Sequence, residues 1–212
     1  MKTSIYRTVS VWLALICLLA TSSSHPLVAQ DKVLPIHFAA PTGLNVELVG
    51  QLGGMPSAVV VQGDYAYIGV GPRLLILDMT NPAFPEMVGQ TLPMPSIVQG
   101  VAVSGSYAYV ANDEHGLRVI NIANLSAPSE IGFYDTPGSA NSVAVSGNYA
   151  YVADGDRGLR VINIADPTTP MEVGFYDTSG YAIDVTVVGN HAFIADVDGG
   201  LRVINVAIST AP

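Results

Sequence analysis

The stretch Val143 to Asp184, VAVSGNYAYVADGDRGLRVINIADPTTPMEVGFYDTSGYAID, constrains this chain more than any other feature, because most of the remaining sequence is a copy of it. Val101 to Ser142 matches it at 27 of 42 positions without a gap, Val185 to Val206 repeats its first half at 14 of 22, and a weaker copy starts at Val59. Tandem units of this length do not each enclose a core; they bury their apolar faces against their neighbours.

Inside each unit the periodicity is that of strands, with valine, isoleucine and paired tyrosines filling short runs between turn residues. In the central copy the runs are Val143 to Ser146, Tyr149 to Ala153, Leu159 to Ala165 and Glu172 to Asp177. A tight turn at Gly147-Asn148 joins the first two, the loop Asp154 to Gly158 follows, and Asp166 to Pro170 breaks the chain before the last. Four antiparallel strands per unit of 42 residues is the plan of a β-propeller blade. The expected fold is therefore all-β: a propeller of about four blades. Ala102, Ala144 and Thr186, alternating with valines in the first strand, would let a neighbouring blade lie close.

The runs VAVSGxYAYVAD, GLRVINIA and PxEVGFYDT resemble the LVIVD repeat, a propeller-type repeat of secreted and surface proteins. The third strand carries the likeness: Leu117 to Asn121, Leu159 to Asn163, Leu201 to Asn205, and in the first copy Leu75-Ile76-Leu77-Asp78. The resemblance covers about Val46 to Val206 and implies a fold more than a mechanism, since propellers host many activities.

Copies begin at Val59, Val101, Val143 and Val185, but the last stops after its third strand, while Asn45 to Leu52 at the other end resembles a fourth strand, Pro170 to Tyr176. If Val46 to Leu52 pairs beside Leu201 to Val206, the four blades close into a ring and no edge stays open. Membership in a larger array, or two chains closing an eight-bladed ring, are the competing readings.

Residues 1–29 read as a signal peptide: Lys2 and Arg7 precede the apolar run Val9 to Ala20, and a polar stretch ends in small residues at Ala29. The run is shorter than the roughly 20 residues that span a bilayer. Residues 30–42, with Pro35 and Pro41, read as an N-terminal arm, and 43–212 as the repeat domain. The expected location is secreted or cell surface, with no membrane span after cleavage. The only cysteine, Cys17, lies in the leader, so the remainder would need no disulfide and suits an oxidising compartment. The net charge of −9 includes two basic leader residues, and the acidic remainder repels nucleic acid and anionic lipid.

Strand order sends the loop between strands two and three, and the connection to the next blade, to one face. That face carries Asn112, Asp113, Glu114 and His115, then Asp154, Asp156 and Arg157, then Asp196 and Asp198, with Asp135 and Asp177 ending fourth strands. Loops on a rigid scaffold commonly carry function, so Asp113, Glu114, His115, Asp154, Asp156, Arg157, Asp196 and Asp198 are the candidate binding residues. The Asp-x-Asp-x-Gly pattern at Asp154 and Asp196 offers alternate carboxylates to calcium, but a complete loop needs further oxygen ligands and a closing Glu. No cofactor is expected. His191 takes the position of Tyr107 and Tyr149 and is read as a packing residue; Arg118, Arg160 and Arg202 are read as covering apolar surface and pairing with carboxylates. No nucleophile elbow or phosphate-cradling loop is present in the sequence.

The expected function is a non-catalytic scaffold for a protein or extracellular ligand. The alternative is a propeller hydrolase with a metal-assisted site at the acidic loops or central channel, where the inner strand starts are Ala58, Gly100, Ser142 and Asp184. Expression in a secreting bacterial host should yield exported protein whose first residue, by N-terminal sequencing, lies near Gln30. Recovery from the cytoplasm with Lys2 and Arg7 intact would count against the leader.

Overall fold

The computed structural model describes residues 48–51 and 53–207. The leader, the arm, Asn45 to Glu47 and Leu52 fall outside these residues. Among the described residues, fifteen strands form four antiparallel sheets in chain order. The first holds β1 (Pro56–Gln62), β2 (Tyr65–Val70), β3 (Arg73–Asp78) and β4 (Glu86–Gln90). The second holds β5 (Gly100–Ser104), β6 (Tyr107–Ala111), β7 (Leu117–Asn121) and β8 (Ser129–Tyr134). The third holds β9 (Ser142–Ser146), β10 (Tyr149–Ala153), β11 (Leu159–Asn163) and β12 (Met171–Tyr176). The fourth has three strands, β13 (Ala182–Val188), β14 (His191–Asp196) and β15 (Gly200–Asn205). Strands pair in sequence order within each sheet, and β1, β5, β9 and β13 lie side by side in that order. The protein is an all-β propeller of four blades.

Local chemistry sets the strand ends. Each first hairpin turns on a glycine with positive φ followed by a residue without it, Gly147-Asn148 in the third blade (Gly147 φ 57°), the pattern of a two-residue II′ turn. The third strand of the central copy ends at Asn163, two residues before the predicted Ala165, because the Ala165 amide donates to Asn163 Oδ1 at 2.9 Å and closes an Asx turn. The same turn recurs at Asp78, Asn121 and Asn205. The outer strand is bulged in every four-stranded blade, where Val88, Ile131 and Val173 each have no opposite residue.

Blades pack face on face. Tyr109, Ala111, Leu117 and Val119 of the second blade meet Val143, Ala150, Val152, Ile162 and Ile164 of the third. One register unit on, Tyr151, Ala153, Leu159 and Val161 meet Val185, Ala192, Ile194, Ile204 and Val206. The second and third blades thus each have a rear face bearing a Tyr-Ala-Leu-Val set, matched in the first blade by Tyr67, Leu74 and Ile76, and the rear of one blade covers the branched aliphatics on the front of the next. The small residues serve this contact: Ala102 packs into the junction of the second and third blades and Ala144 into that of the third and fourth.

Thr186 and His191 stand apart from their counterparts. Both are exposed, which corrects the packing role expected of His191. The tyrosines at the same position, Tyr107 and Tyr149, sit on rear faces covered by a following blade. His191 opens β14 on the rear of the last blade, and no described residue covers that face as the third blade is covered. Leu201 and Val203 there are 70% and 54% exposed, whereas Leu117, Leu159, Val119 and Val161 are fully buried. The predicted pairing of the N-terminal strand with β15 is not made among the described residues: β15 pairs only with β14.

Outer strands grip the following blade through glycine. A Cβ at Gly132 would run into the Pro167 and Thr168 carbonyl oxygens, and one at Gly89 into that of Leu125. Gly132→Ala should therefore cost about 1–3 kcal/mol, as overpacking does, against under ~0.5 kcal/mol for Ser106→Ala on an exposed turn. Urea unfolding of both variants checks this, and equal costs would show that the loop is not seated on the strand.

Candidate functional site

The predicted loop face is built on one recurring buried polar residue, Asn112, Asp154 or Asp196, the first residue after β6 or β10 and the last of β14. Each holds the linker entering its own blade. Asn112 Nδ2 donates to the carbonyls of Ser96 and Ile97 at 2.6 and 3.0 Å, and its Oδ1 accepts from the Ser96 amide at 3.2 Å. Asp154 accepts from Thr136 Oγ1 at 2.5 Å and from the Gly138 amide at 2.9 Å. Asp196 accepts from the Gly180 amide at 3.2 Å, but its Oδ1 and Thr178 Oγ1, the counterparts of the Asp154 and Thr136 pair, are both without a hydrogen-bond partner. A backbone bridge completes the clamp to the blade that follows: Asp113 pairs with Ala140, and Gly155 with Ala182. Asp113 takes φ 54° there, the position a glycine fills one blade later at φ 57°.

The eight candidate residues therefore divide. Asp154 and Asp196 are buried, at 0% and 2% exposure; both oxygens of Asp154 bind the scaffold, and one oxygen of Asp196 does. Asp113 and His115 are half-buried, with Asp113 Oδ2 accepting from Ser96 Oγ at 3.3 Å. Glu114, Asp156, Arg157 and Asp198 are exposed. Only Asp156 and Arg157 pair directly, at 3.9 Å in solvent, which contributes little. Among the described residues, no three His, Cys, Asp or Glu side chains stand close enough together to hold a metal ion.

The repeated arginines pair as expected. Arg118 Nη2 lies 2.8 Å from Asp135, Nη1 lies 3.6 Å from Glu130, and Cζ stands 4.6 Å over the Phe133 ring. Arg160 repeats this with Asp177 at 2.8 Å, Glu172 at 3.9 Å and Phe175 at 4.8 Å, and adds Asp154 at 3.5 Å. Both are buried, so cation–π contact and charge pairing offset their desolvation. Arg202 has no outer strand beside it among the described residues and is more exposed, reaching Asp196 and Ser179 Oγ. At the inner strand starts, Ser142 Oγ donates to Asp184 Oδ1 at 2.6 Å, tying the third blade to the fourth.

The linkers bring apolar groups to the same face. Leu92, Ile97, Tyr181 and Val197 are all exposed among the acidic loops. Sequence reasoning missed them because they lie in aperiodic linker and loop segments; the available signal was an isolated large apolar residue amid Pro, Ser and Gly.

Burial pushes the Asp154 carboxyl above its ordinary value, against the opposing pull of the Thr136 hydroxyl, the Gly138 amide and Arg160. Glu172 is likewise raised by burial. A raised acid favours the folded state fully below its unfolded value, 3.8 for Asp154, and that advantage is lost as pH rises through the folded value. Asp154→Asn, which places in this blade the residue standing at 112, should flatten that part of the stability profile. Asp154→Ala should instead cost about 1–3 kcal/mol at neutral pH, because it orphans the Gly138 and Thr136 donors. Thermal unfolding of the three proteins across acid to neutral pH tests both outcomes.

The model of the LVIVD repeat family matches residues 53–92, 96–136, 137–178 and 179–211. Comparison with curated proteins finds no match. Among solved structures, the crystal structure of the computationally designed Ika4 protein aligns at TM-score 0.61 and 12% identity, over 72% of this chain and 91% of that one. The crystal structure of the computationally designed Ika8 protein aligns at the same score and identity over 72% of this chain but 46% of its own length. Such likeness shows the fold alone. The four family matches succeed one another as the four blades do and cover most of the sequence, and on that basis the chain belongs to the LVIVD-repeat family.

Proposed function

We propose that this chain is a secreted or surface-exposed, non-catalytic scaffold that binds a protein partner across the loop face carrying Glu114, Asp156 and Asp198. One observation carries the reading. Exposed carboxylates stand with exposed Leu92, Ile97, Tyr181 and Val197 on loops whose bases are locked by buried Asn112, Asp154 and Asp196. Preorganised loops lose little entropy on binding. Apolar groups rimmed by charge suit a protein surface better than a single ion.

The sign of the partner follows from charge. A chain of net charge −9 with carboxylates concentrated on one set of loops favours a basic surface and accelerates its approach. Secretion rests on the composition of the leader. The non-catalytic reading rests on the inner strand starts, where Ala58, Gly100, Ser142 and Asp184 include one ionisable group.

The test uses the immobilised exported protein and a basic probe such as a lysine-rich peptide or a small cationic protein. Retention at low salt, release as ionic strength rises, and loss in the variant Glu114→Gln/Asp156→Asn/Asp198→Asn are expected, with Leu92→Ser/Ile97→Ser weakening a protein probe more than a peptide. Retention unchanged by these substitutions would remove the loop face from the function. Millimolar calcium should leave the unfolding temperature where it is in a chelator. A ligand present at 100 times its dissociation constant adds about 2.7 kcal/mol, so a rise of that order would favour the metal-assisted alternative.

A further inference from the structure

Among the described residues, the two ends of the propeller are complementary and unpartnered. On the rear of the last blade, Leu201 and Val203 stand more than half exposed at positions that are fully buried in the second and third blades. Leu74 and Ile76 hold the same register in the first blade and are also fully buried. On the front of the first blade, Val59 and Val61 are 67% and 62% exposed, whereas Val143 and Val185, the counterparts of Val59, are 6% and 5% exposed. At every internal junction a rear face of this kind is covered by a front face of this kind. The repeats themselves therefore specify what fits each end.

The outer strands make the match sharper. Gly50 lies against the Pro82 carbonyl and Ala83 in the loop between β3 and β4. Gly89 lies in the same way against Leu125 of the second blade, and Gly132 against Pro167 and Thr168 of the third. The sequence agrees, since Glu47 to Gln51, ELVGQ, repeats the β4 sequence EMVGQ with one change. Residues 48–51 thus occupy the outer-strand position of a blade preceding the first, whose three inner strands are not among the described residues. Among the described residues, the last blade has the converse composition: three inner strands and no outer one. A groove follows the free edge of β15, lined by Leu201 to Asn205 and by Tyr176 of the preceding outer strand. Arg202 in it lacks the Phe and Asp that an outer strand supplies to Arg118 and Arg160.

We propose that a second copy of this chain fills these positions. The β13–β15 blade of one copy seats on the front of β1–β3 of the other and takes residues 48–51 of that copy as its outer strand. The arrangement is reciprocal, so two head-to-tail contacts close one ring of eight blades. It buries Leu201, Val203, Val59 and Val61, and it places a strand beside Arg202. The inference is independent of the binding role of the loop face.

By the pairing of β11 with β12, where Arg160 stands opposite Phe175 and Val161 opposite Gly174, the entering strand would set Gln51 opposite Arg202 and Gly50 opposite Val203. The experiment uses the full chain made in a secreting host, with Cys17→Ala to remove its one native thiol. Light scattering should give a mass of two chains. Gln51→Cys and Arg202→Cys, prepared separately and mixed under mild oxidation, should cross-link to a band of twice the single-chain mass that collapses on reduction. Val203→Asp and Val59→Asp should each lower the mass, with circular dichroism confirming that the strands remain. A single-chain mass overturns the proposal, as does a double variant that cross-links only within one chain, which would show a ring closed on itself. Open-ended assemblies of growing mass would overturn the two-chain closure.

Discussion

Blade-on-blade burial is the constraint on which the structure depends. A four-stranded sheet of five- to seven-residue strands has two apolar faces and no helix or second sheet of its own to cover them. Each face can leave water only against the next copy. A rear set of one tyrosine with Leu and a branched aliphatic interlocks with a front set of branched aliphatics at each internal junction. Fully burying an aliphatic side chain contributes about 1.5–3 kcal/mol, so several such residues per face make the junctions the main source of stability. The alanine in the first strand and the glycine in the outer strand follow from this: both lie where a neighbouring blade must come close.

Polar groups then decide where the loops stand. Linkers between blades leave water with amides and carbonyls that no ladder satisfies, and Asn112, Asp154 and Asp196 accept or donate to those groups from inside the blade. Burial makes these bonds costly to lose. The guanidinium groups of Arg118 and Arg160 do the corresponding work at the outer strand, held by a carboxylate and an aromatic face. The acidic loops are thus two populations of different meaning. Some carboxylates hold the scaffold, and Glu114, Asp156 and Asp198 face solvent together with apolar linker residues. It is on this second population that the proposed binding role rests.

Much of this was legible beforehand. Strand number and order, the hairpin turns, the pairing of Arg118 and Arg160 and the shared loop face followed from the period and from alternation along the strands. The division among the candidate residues did not, because Asp154 and Asp156 are two residues apart in one loop and only the path of the incoming linker buries the first. His191 was misread for a related reason. Its register matches Tyr107 and Tyr149, yet register fixes which way a side chain points and leaves open whether anything stands there to cover it.

The sequence by itself determined the blade, since a repeat of 42 residues with period-two strands and glycine turns has one local solution. It also determined which face each residue joins, because alternation along a strand is set by backbone geometry. Tertiary structure alone decided which of those faces are covered, which carboxylates are buried, and that residues 48–51 lie against the first blade while no described strand pairs with the outer edge of β15. The physical reason is that pairing of a strand and burial of a face depend on what arrives from elsewhere in space, and identical repeats carry identical local information whether or not they stand at an end.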